Sequence, residues 1–407
     1  MNTENALSKT KNVLIDLSTS ETKSEALDYL LANFNGCVVT HFSDIENTEK
    51  SIRIFAVGDI SLLDAKAEDI FIIKEFSSHY ENHSTSSFNV ISEGQVPINL
   101  HNAGVFYRRF FEDDNYFSKI EKEHQFQNLT ESTKQSVALR KGIYLSEVTK
   151  HESATNKEEL HFKLLRCSSN LTGATDNFRA TDQHIVNSIN NAVTFDFEIP
   201  TELNHVLAQI YENKKKDKDH PKDVKAKIKA HSDKTKDMPK EGLIAFCTFY
   251  DHTNLDKLSR SKTNKFDRIY GKSSGLSRLL FKLKPSVKDA TLVKEFSVTL
   301  YPNSVFVIPL STNRLYTHEI RPSVLDIDLI PIRMGYVMRC SNLNAVYTNN
   351  QTYIKQDEEL IPLQTMDTEN LEDLRSSYYE ENKTVKRVNY GKVHFSMNTG
   401  DYKKPIL

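Results

Sequence analysis

His231 and Asp233, in His231-Ser232-Asp233, together with His318 downstream, are the residue types that hold a non-haem Fe(II) on one face and leave its other positions open for a co-substrate and O2. Such a set implies an oxygenase. The tripeptide alone carries little weight. With fourteen histidines in the chain, about two His-x-Asp/Glu matches arise by chance, and the second match, His79-Tyr80-Glu81, lacks the context that follows the first.

That context is a series of short apolar runs. Leu243 to Tyr250 comes first, then Phe296 to Leu300, a Pro302-Asn303-Ser304 turn and Val305 to Pro309, which together signal a hairpin. His318 follows, and after it Ile330 to Arg339. In a strand, Arg333, Gly335, Val337 and Arg339 share one face while Ile332, Met334, Tyr336 and Met338 share the other. Both arginines therefore point the same way. Two buried guanidiniums need an anionic partner, because an unpaired buried charge costs several kcal/mol or more. A dicarboxylate such as 2-oxoglutarate supplies one, since Arg binds carboxylate through two parallel charge-assisted hydrogen bonds. The other reading of Arg-x5-Arg is a solvated strand face with two surface arginines.

At these residues the chain resembles the AlkB-like branch of the Fe(II)/2-oxoglutarate-dependent dioxygenases. That family has a His-x-Asp, a hairpin, a distal His and an Arg-x5-Arg strand, preceded by a strand with Asn-x-Tyr. Here Leu203 to Asn213 matches the preceding strand, with Gln209 in the Asn position and Tyr211 in the Tyr position. The resemblance covers about residues 200 to 345, with an insertion between Tyr211 and His231. It implies a double-stranded β-helix (jelly roll, cupin-like) core, Fe(II) on His231, Asp233 and His318, and 2-oxoglutarate on Arg333, Arg339, Tyr211 and Gln209. Arg333 would take the distal carboxylate, with Arg339 nearer the metal-bound end. The chain departs from the family pattern at Gly335, where Asn is frequent, and at Gln209. The implied chemistry is oxidative decarboxylation of 2-oxoglutarate by O2 and oxidation of a C–H bond, the metal centre itself being catalytic with no separate acid or base.

Composition accommodates such an enzyme. The 407 residues allow a large core, and a β-helix of this kind takes ~200 of them, leaving room for additions. Lys and Arg number 53 against 55 Asp and Glu, a formal charge of −2, so no global field favours nucleic acid or an acidic membrane. Cys37, Cys167, Cys247 and Cys340 are scattered without CxxC spacing, which indicates neither a zinc site nor a disulfide framework and fits a cytoplasmic chain. Met1 to Lys23 is polar, without the apolar centre of a signal peptide, and reads as a flexible tail. No run approaches the ~18 apolar residues of a membrane span.

The expected architecture is mainly β with flanking helices (α+β). Residues 24–195 form an N-terminal α/β region packing on the core and contributing to the substrate side, 196–345 the catalytic core with a Lys-rich insertion at 212–230, and 346–407 a C-terminal extension. Ala26, Leu27, Leu30, Leu31 and Phe34 predict a helix over Ser24 to Phe34, which Gly36 ends before a strand at Cys37 to Thr40. Strands are expected at Ile52 to Val57 and Asp69 to Ile73, a polar loop at Ser77 to Ser87, short helices within 106–126 and a helix over Asp182 to Ala192. Candidate substrate contacts are Arg140, in Arg140-Lys141-Gly142, and Asn177 and Arg179, in the polar stretch Thr172 to Arg179; the turns at Asn389 to Gly391 and Phe395 to Tyr402 also qualify. Glu212 to Lys240 holds eleven lysines against six acids and reads as a charged excursion or lid beside the site. The favoured substrate is a small carboxylate-bearing metabolite such as an amino-acid derivative, hydroxylated or closed into a ring. The alternatives are an N-alkylated nucleobase in RNA or DNA, oxidatively demethylated, and an inactive β-helix used as a binding module. Sequence leaves the oligomeric state open.

Overall fold

The computed structural model describes residues 10–19, 23–45, 52–63, 70–82, 88–112, 115–130, 137–152, 158–166, 171–218, 221–357 and 359–407. The chain forms two compact units. The first comprises residues 1–112, 187–201 and 304–307, and the second comprises 113–186, 202–303 and 308–407.

The first unit is built on a five-stranded sheet in the order Cys37–Val39, Asn12–Leu17, Arg53–Asp59, Ile70–Ser78, Phe88–Ile91, every pairing parallel. Its inner strands read as near-continuous apolar runs because both faces are covered, as in parallel sheets generally. Leu14, Phe55, Val57 and Ile73 pack on one face with Leu27, Leu30 and Phe34. Ile15, Ile54, Ala56, Ile70 and Ile72 fill the other. The helix Glu25–Asn33 falls where the spacing predicts it, with the Ser24 side chain accepting from the Leu27 amide. The flexible tail expected over Met1 to Lys23 is not what the described part shows: Asn12–Leu17 is an interior strand, and residues 1–9 and 20–22 lie outside the described residues. Asp196 is fully buried in this unit, accepting from Arg53 Nη2 at 2.9 Å, Asn12 Nδ2 at 3.0 Å and the Tyr107 hydroxyl at 2.7 Å.

The second unit carries the residues of chemical interest on two facing sheets. The larger, part of a nine-stranded sheet, includes in order Asp176–Asn177, Val137–Ser146, His205–Tyr211, Arg333–Arg339, Leu243–Tyr250. The smaller runs Ile228–His231, Tyr316–Arg321, Arg278–Leu283, Glu295–Thr299. Phe246 of the larger sheet meets His318 and Phe281 of the smaller at ring separations of 5.4 and 6.5 Å, which fixes the facing sides. A third, antiparallel sheet orders Thr149–Glu152, Glu158–Leu164, Leu343–Thr348, Gln351–Gln356, Glu359–Pro362. The chain is thus β-rich with flanking helices, and among its described residues no helix is long and apolar enough to cross a membrane.

One pairing expectation needs correction. The runs around Pro302 to Ser304 do not form a hairpin: Glu295–Thr299 pairs with Arg278–Leu283, whereas Val305–Pro309 pairs with Gly104–Tyr107. The turn is present, with Asn303 at φ 62, but apolar runs on either side of a turn do not specify each other as partners. Residues 113–186, expected within the N-terminal region 24–195, group with the second unit.

Candidate metal centre

Strand alternation predicts the placement of Arg333 and Arg339, and register extends it to the neighbouring strands. Tyr211 stands opposite Arg333, Gln209 opposite Gly335 and His205 opposite Arg339. On the other side Tyr250 faces Arg333 and Thr248 faces Gly335. Arg140 is paired with Tyr211 and Gly142 with Gln209, so all of these share one sheet face. The opposite face, with Met334, Tyr336 and Met338 fully buried, is core.

The three candidate ligands converge. His231 ends its strand opposite His318, and the two rings lie 4.5 Å apart. Asp233 Oδ1 is 3.5 Å from His231 Nε2 and 3.7 Å from His318 Nε2. One ligand atom from each of the three lies within 4.8 Å of the others. Donors ~2.1 Å from a shared ion and at right angles to each other stand ~3 Å apart, so the spacing suits one small cation after slight contraction. His231 Nδ1 donates to the Lys229 carbonyl at 2.9 Å, and because a carbonyl only accepts, the Nε2 lone pair is left for a metal.

Asp233 lies beyond the strand end, where regular pairing cannot hold it. Asn313 does so instead, its Oδ1 accepting the Asp233 amide at 2.8 Å and its Nδ2 donating to the Asp233 carbonyl at 2.9 Å. Asn382 Oδ1 takes the Ser232 amide, and the Ser232 hydroxyl donates to the Tyr316 carbonyl. Arg339 Nε and Nη2 both contact Asp233 Oδ2, at 2.8 and 2.7 Å. That contact turns Oδ1 toward the histidines. Burial would raise the Asp233 carboxyl, but Arg339, then His231 and His318, hold it well below the usual carboxylate range. Burial and the adjacent His231 push His318 down to about 3, so its imidazole is neutral and able to ligate. Arg339, expected beside the co-substrate, is thus observed on the ligand carboxylate.

Arg333 differs. It is 3 % exposed, its guanidinium lies 4.1 Å over the Tyr211 ring, and its Nε and Nη2 are buried without a hydrogen-bond partner. A Cβ at Gly335 would sit 3.0 Å from Arg333 Nη1 and 3.3 Å from Tyr211 Cε2. The glycine, a departure from the family pattern, therefore gives the guanidinium room to lie across the strand. Gln209 Oε1 accepts from the Tyr211 hydroxyl at 2.9 Å. Thr248 Oγ1 on the adjacent strand is also buried and unpartnered. Sequence reasoning missed Thr248 because it sits inside a run read only as apolar; a lone hydroxyl there was the available signal. His205, 1 % exposed with both ring nitrogens unpartnered, was missed as well, and burial followed by Arg339 pushes it down to about 3.

The proposed substrate contacts divide. Arg140 is on the Arg333 face, with its Nε buried and unpartnered. Asn177 and Arg179 are held in another network: Asn177 Oδ1 accepts the Val148 amide, and Arg179 pairs with Asp176 at 2.8 Å. There His124 bridges Asp176 and Asp182 through Nδ1 at 2.8 Å and Nε2 at 2.7 Å. Glu123, His124 and Asp182 also come close enough to hold an ion. However, although burial would lower His124, the hydrogen bonds of Asp176 and Asp182 outweigh it and raise the group to about 9. An imidazolium donating from both nitrogens has no lone pair for a metal. The Tyr336 hydroxyl donates to Asp182 Oδ1 at 2.8 Å, tying this cluster to the core face of the Arg333–Arg339 strand.

No family model matches the chain and no curated protein matches it. Among solved structures, one titled "The structure of OsALKBH1" is similar at a TM-score of 0.33 and 11% identity, covering 58% of this chain and 96% of that one. The likeness is distant.

Proposed function

We propose that the second unit is an Fe(II)/2-oxoglutarate-dependent dioxygenase with a double-stranded β-helix core, oxidising a C–H bond of a small carboxylate-bearing metabolite. The observation that carries this reading is the buried guanidinium of Arg333, which no carboxylate of the described residues neutralises, on the same face as Arg339 and the three convergent ligands. A buried cation without a carboxylate partner is costly enough that an anionic ligand is its simplest explanation.

The residues fit both groups. His231, Asp233 and His318 offer two imidazoles and a carboxylate, the donor set of open-faced ferrous sites. Arg333, with Thr248 and the Tyr211–Gln209 pair beside it, would hold the distal carboxylate of 2-oxoglutarate. When bound, the iron and keto acid would activate O2, the oxidant, for C–H cleavage, the keto acid supplying two of the electrons as it is decarboxylated. The protein's contribution is positional. Asn313 and Arg339 fix the Asp233 carboxylate, the Lys229 carbonyl fixes the His231 tautomer, and Phe246 and Phe281 pack around His318 and exclude water. Arg140 is the group on this face best suited to an anionic substrate or to the far end of the co-substrate pocket. Asn177 and Arg179 are assigned to the His124 network instead.

Succinate release from 2-oxoglutarate, with Fe(II) and ascorbate present and no substrate added, tests the class. The reading expects turnover that disappears in His231→Ala; absence of turnover and of 2-oxoglutarate binding in the unaltered chain would leave the inactive-module alternative.

A further inference from the structure

Two basic segments of the second unit are tied together at a surface that also exposes bulky apolar side chains. The first, Lys257 to Arg278, has seven Lys and Arg against one acid, Asp267. It folds as a small sheet of Ser259–Arg260, Arg268–Tyr270 and Ser273–Ser274, with Gly271 at φ +61 in its tip. Lys257, Arg260, Lys262, Lys265, Lys272 and Arg278 are all exposed, and Tyr270 at the tip is 56% exposed. The second insertion, Asn213 to Lys229, has eight lysines against Asp217, Asp219 and Asp223. The global charge of −2 conceals both.

The segment Ser323 to Asp328 joins them. The Ser323 hydroxyl donates to the Ser274 carbonyl at 2.5 Å, linking it to the hairpin sheet. Lys225 Nζ donates to the carbonyls of Ser323 and Leu325 at 3.0 and 2.5 Å, linking it to the lysine arm. Lys215 also pairs with Asp328. The carbonyls that Lys225 grips flank Val324, which is thereby held outward at 72% exposure, while Val224 next to Lys225 is 44% exposed. Tyr270, Val324 and Val224 thus stand on three adjoining segments among lysines. Asp326 and Asp328 are the acids of the joining segment, too few to cancel the excess.

We propose that this surface docks the protein peripherally on an anionic lipid bilayer, the lysines and arginines meeting headgroup phosphates and carboxylates while Tyr270, Val324 and Val224 enter the headgroup–acyl boundary. A phosphate polymer would account for the cations and for Tyr270. It would not account for two aliphatic side chains held in water, whereas exposed apolar side chains among basic ones are what an anionic interface rewards. The inference is independent of the oxygenase reading. The lysine arm does end on His231, so a docked chain would present that histidine's exposed edge near the bilayer.

Co-sedimentation of the full chain with vesicles of phosphatidylcholine alone, or of phosphatidylcholine with phosphatidylserine, tests the proposal, with far-UV circular dichroism confirming that each variant is folded. Binding is expected only to the anionic vesicles and to fall with added salt. The double variant Lys262→Gln/Lys272→Gln should bind about 25-fold more weakly, at about fivefold per lysine. Val324→Asp should weaken binding with every cation intact, and a single-stranded RNA should not compete at equal charge. Failure to sediment with anionic vesicles, equal binding by the variants, or displacement by RNA with Val324→Asp behaving as the unaltered chain would each overturn it.

Discussion

Two histidine–carboxylate clusters in the same unit are made of the same residue types and have opposite electrostatics. At His124 both ring nitrogens meet carboxylates within 2.8 Å, and the imidazole is driven up to about 9. At His318 the nearest carboxylate oxygen is 3.7 Å away and is turned by Arg339, and the imidazole is driven down to about 3. The first cluster is satisfied by its own hydrogen bonds and ties helix to sheet. The second brings ligand atoms of His231, Asp233 and His318 within 4.8 Å of one another, close enough to hold an added cation. Proximity of His and Asp does not mark a metal site; what marks it is the proton inventory, since a ligand nitrogen must be free of hydrogen.

Breaking each cluster in turn should separate the roles. Asp233→Ala is expected to abolish 2-oxoglutarate decarboxylation, measured as succinate, while His124→Ala should preserve its metal dependence under conditions where the variant is folded. The cost of His124→Ala should instead be stability, about 3–5 kcal/mol by urea unfolding, because two buried carboxylates lose their cation. The pH dependence sharpens the contrast. His124 is raised from 6.5 to about 9 in the folded state, so its stabilisation is fully present below pH 6.5 and is lost as pH rises through about 9. Unfolding free energies of the unaltered chain should fall over that range by up to roughly 3 kcal/mol more than those of His124→Ala.

A smaller expected effect concerns Arg333. Arg333→Met should weaken 2-oxoglutarate binding about a hundredfold, yet leave the ligand-free chain as stable or more stable by about 1–3 kcal/mol, because it removes a buried cation that lacks an internal carboxylate. Isothermal titration and urea unfolding on the same variant read both signs. Smallest is Tyr211→Phe, which keeps the ring under Arg333 and loses only the hydroxyl bond to Gln209; about a fivefold weaker co-substrate affinity is expected by the same titration.

Much of the second cluster is legible in the sequence because strand alternation is a strict period of two. Given Arg333 and Arg339, their shared face follows, and Tyr211 and Gln209 follow if the preceding strand is a neighbour. The helix at Glu25–Asn33 is legible for the same kind of reason, a sustained period and a Ser cap. What the sequence hides is pairing and burial. Asn12–Leu17 sits in a polar context and is read as tail, though it is the strand on which the parallel sheet is built. His124 is separated from Asp176 and Asp182 by more than fifty residues and the three carry no motif, so their network exists only once the helices fold onto the sheet. Arg179 and Asn177 look like a binding loop for that reason. Arg339 has the expected face but a different partner, because the position of Asp233 depends on Asn313, eighty residues away.

The central claim is that His231, Asp233 and His318 bind one ferrous ion beside a pocket in which Arg333 holds a keto diacid. Anaerobic titration with Fe(II) and then 2-oxoglutarate, followed by the visible metal-to-ligand absorption, tests it most directly. The account predicts one metal equivalent and an absorption that appears with 2-oxoglutarate, is abolished by Asp233→Ala and requires far more ligand in Arg333→Met. An absorption that never forms, or one indifferent to both substitutions, would contradict it.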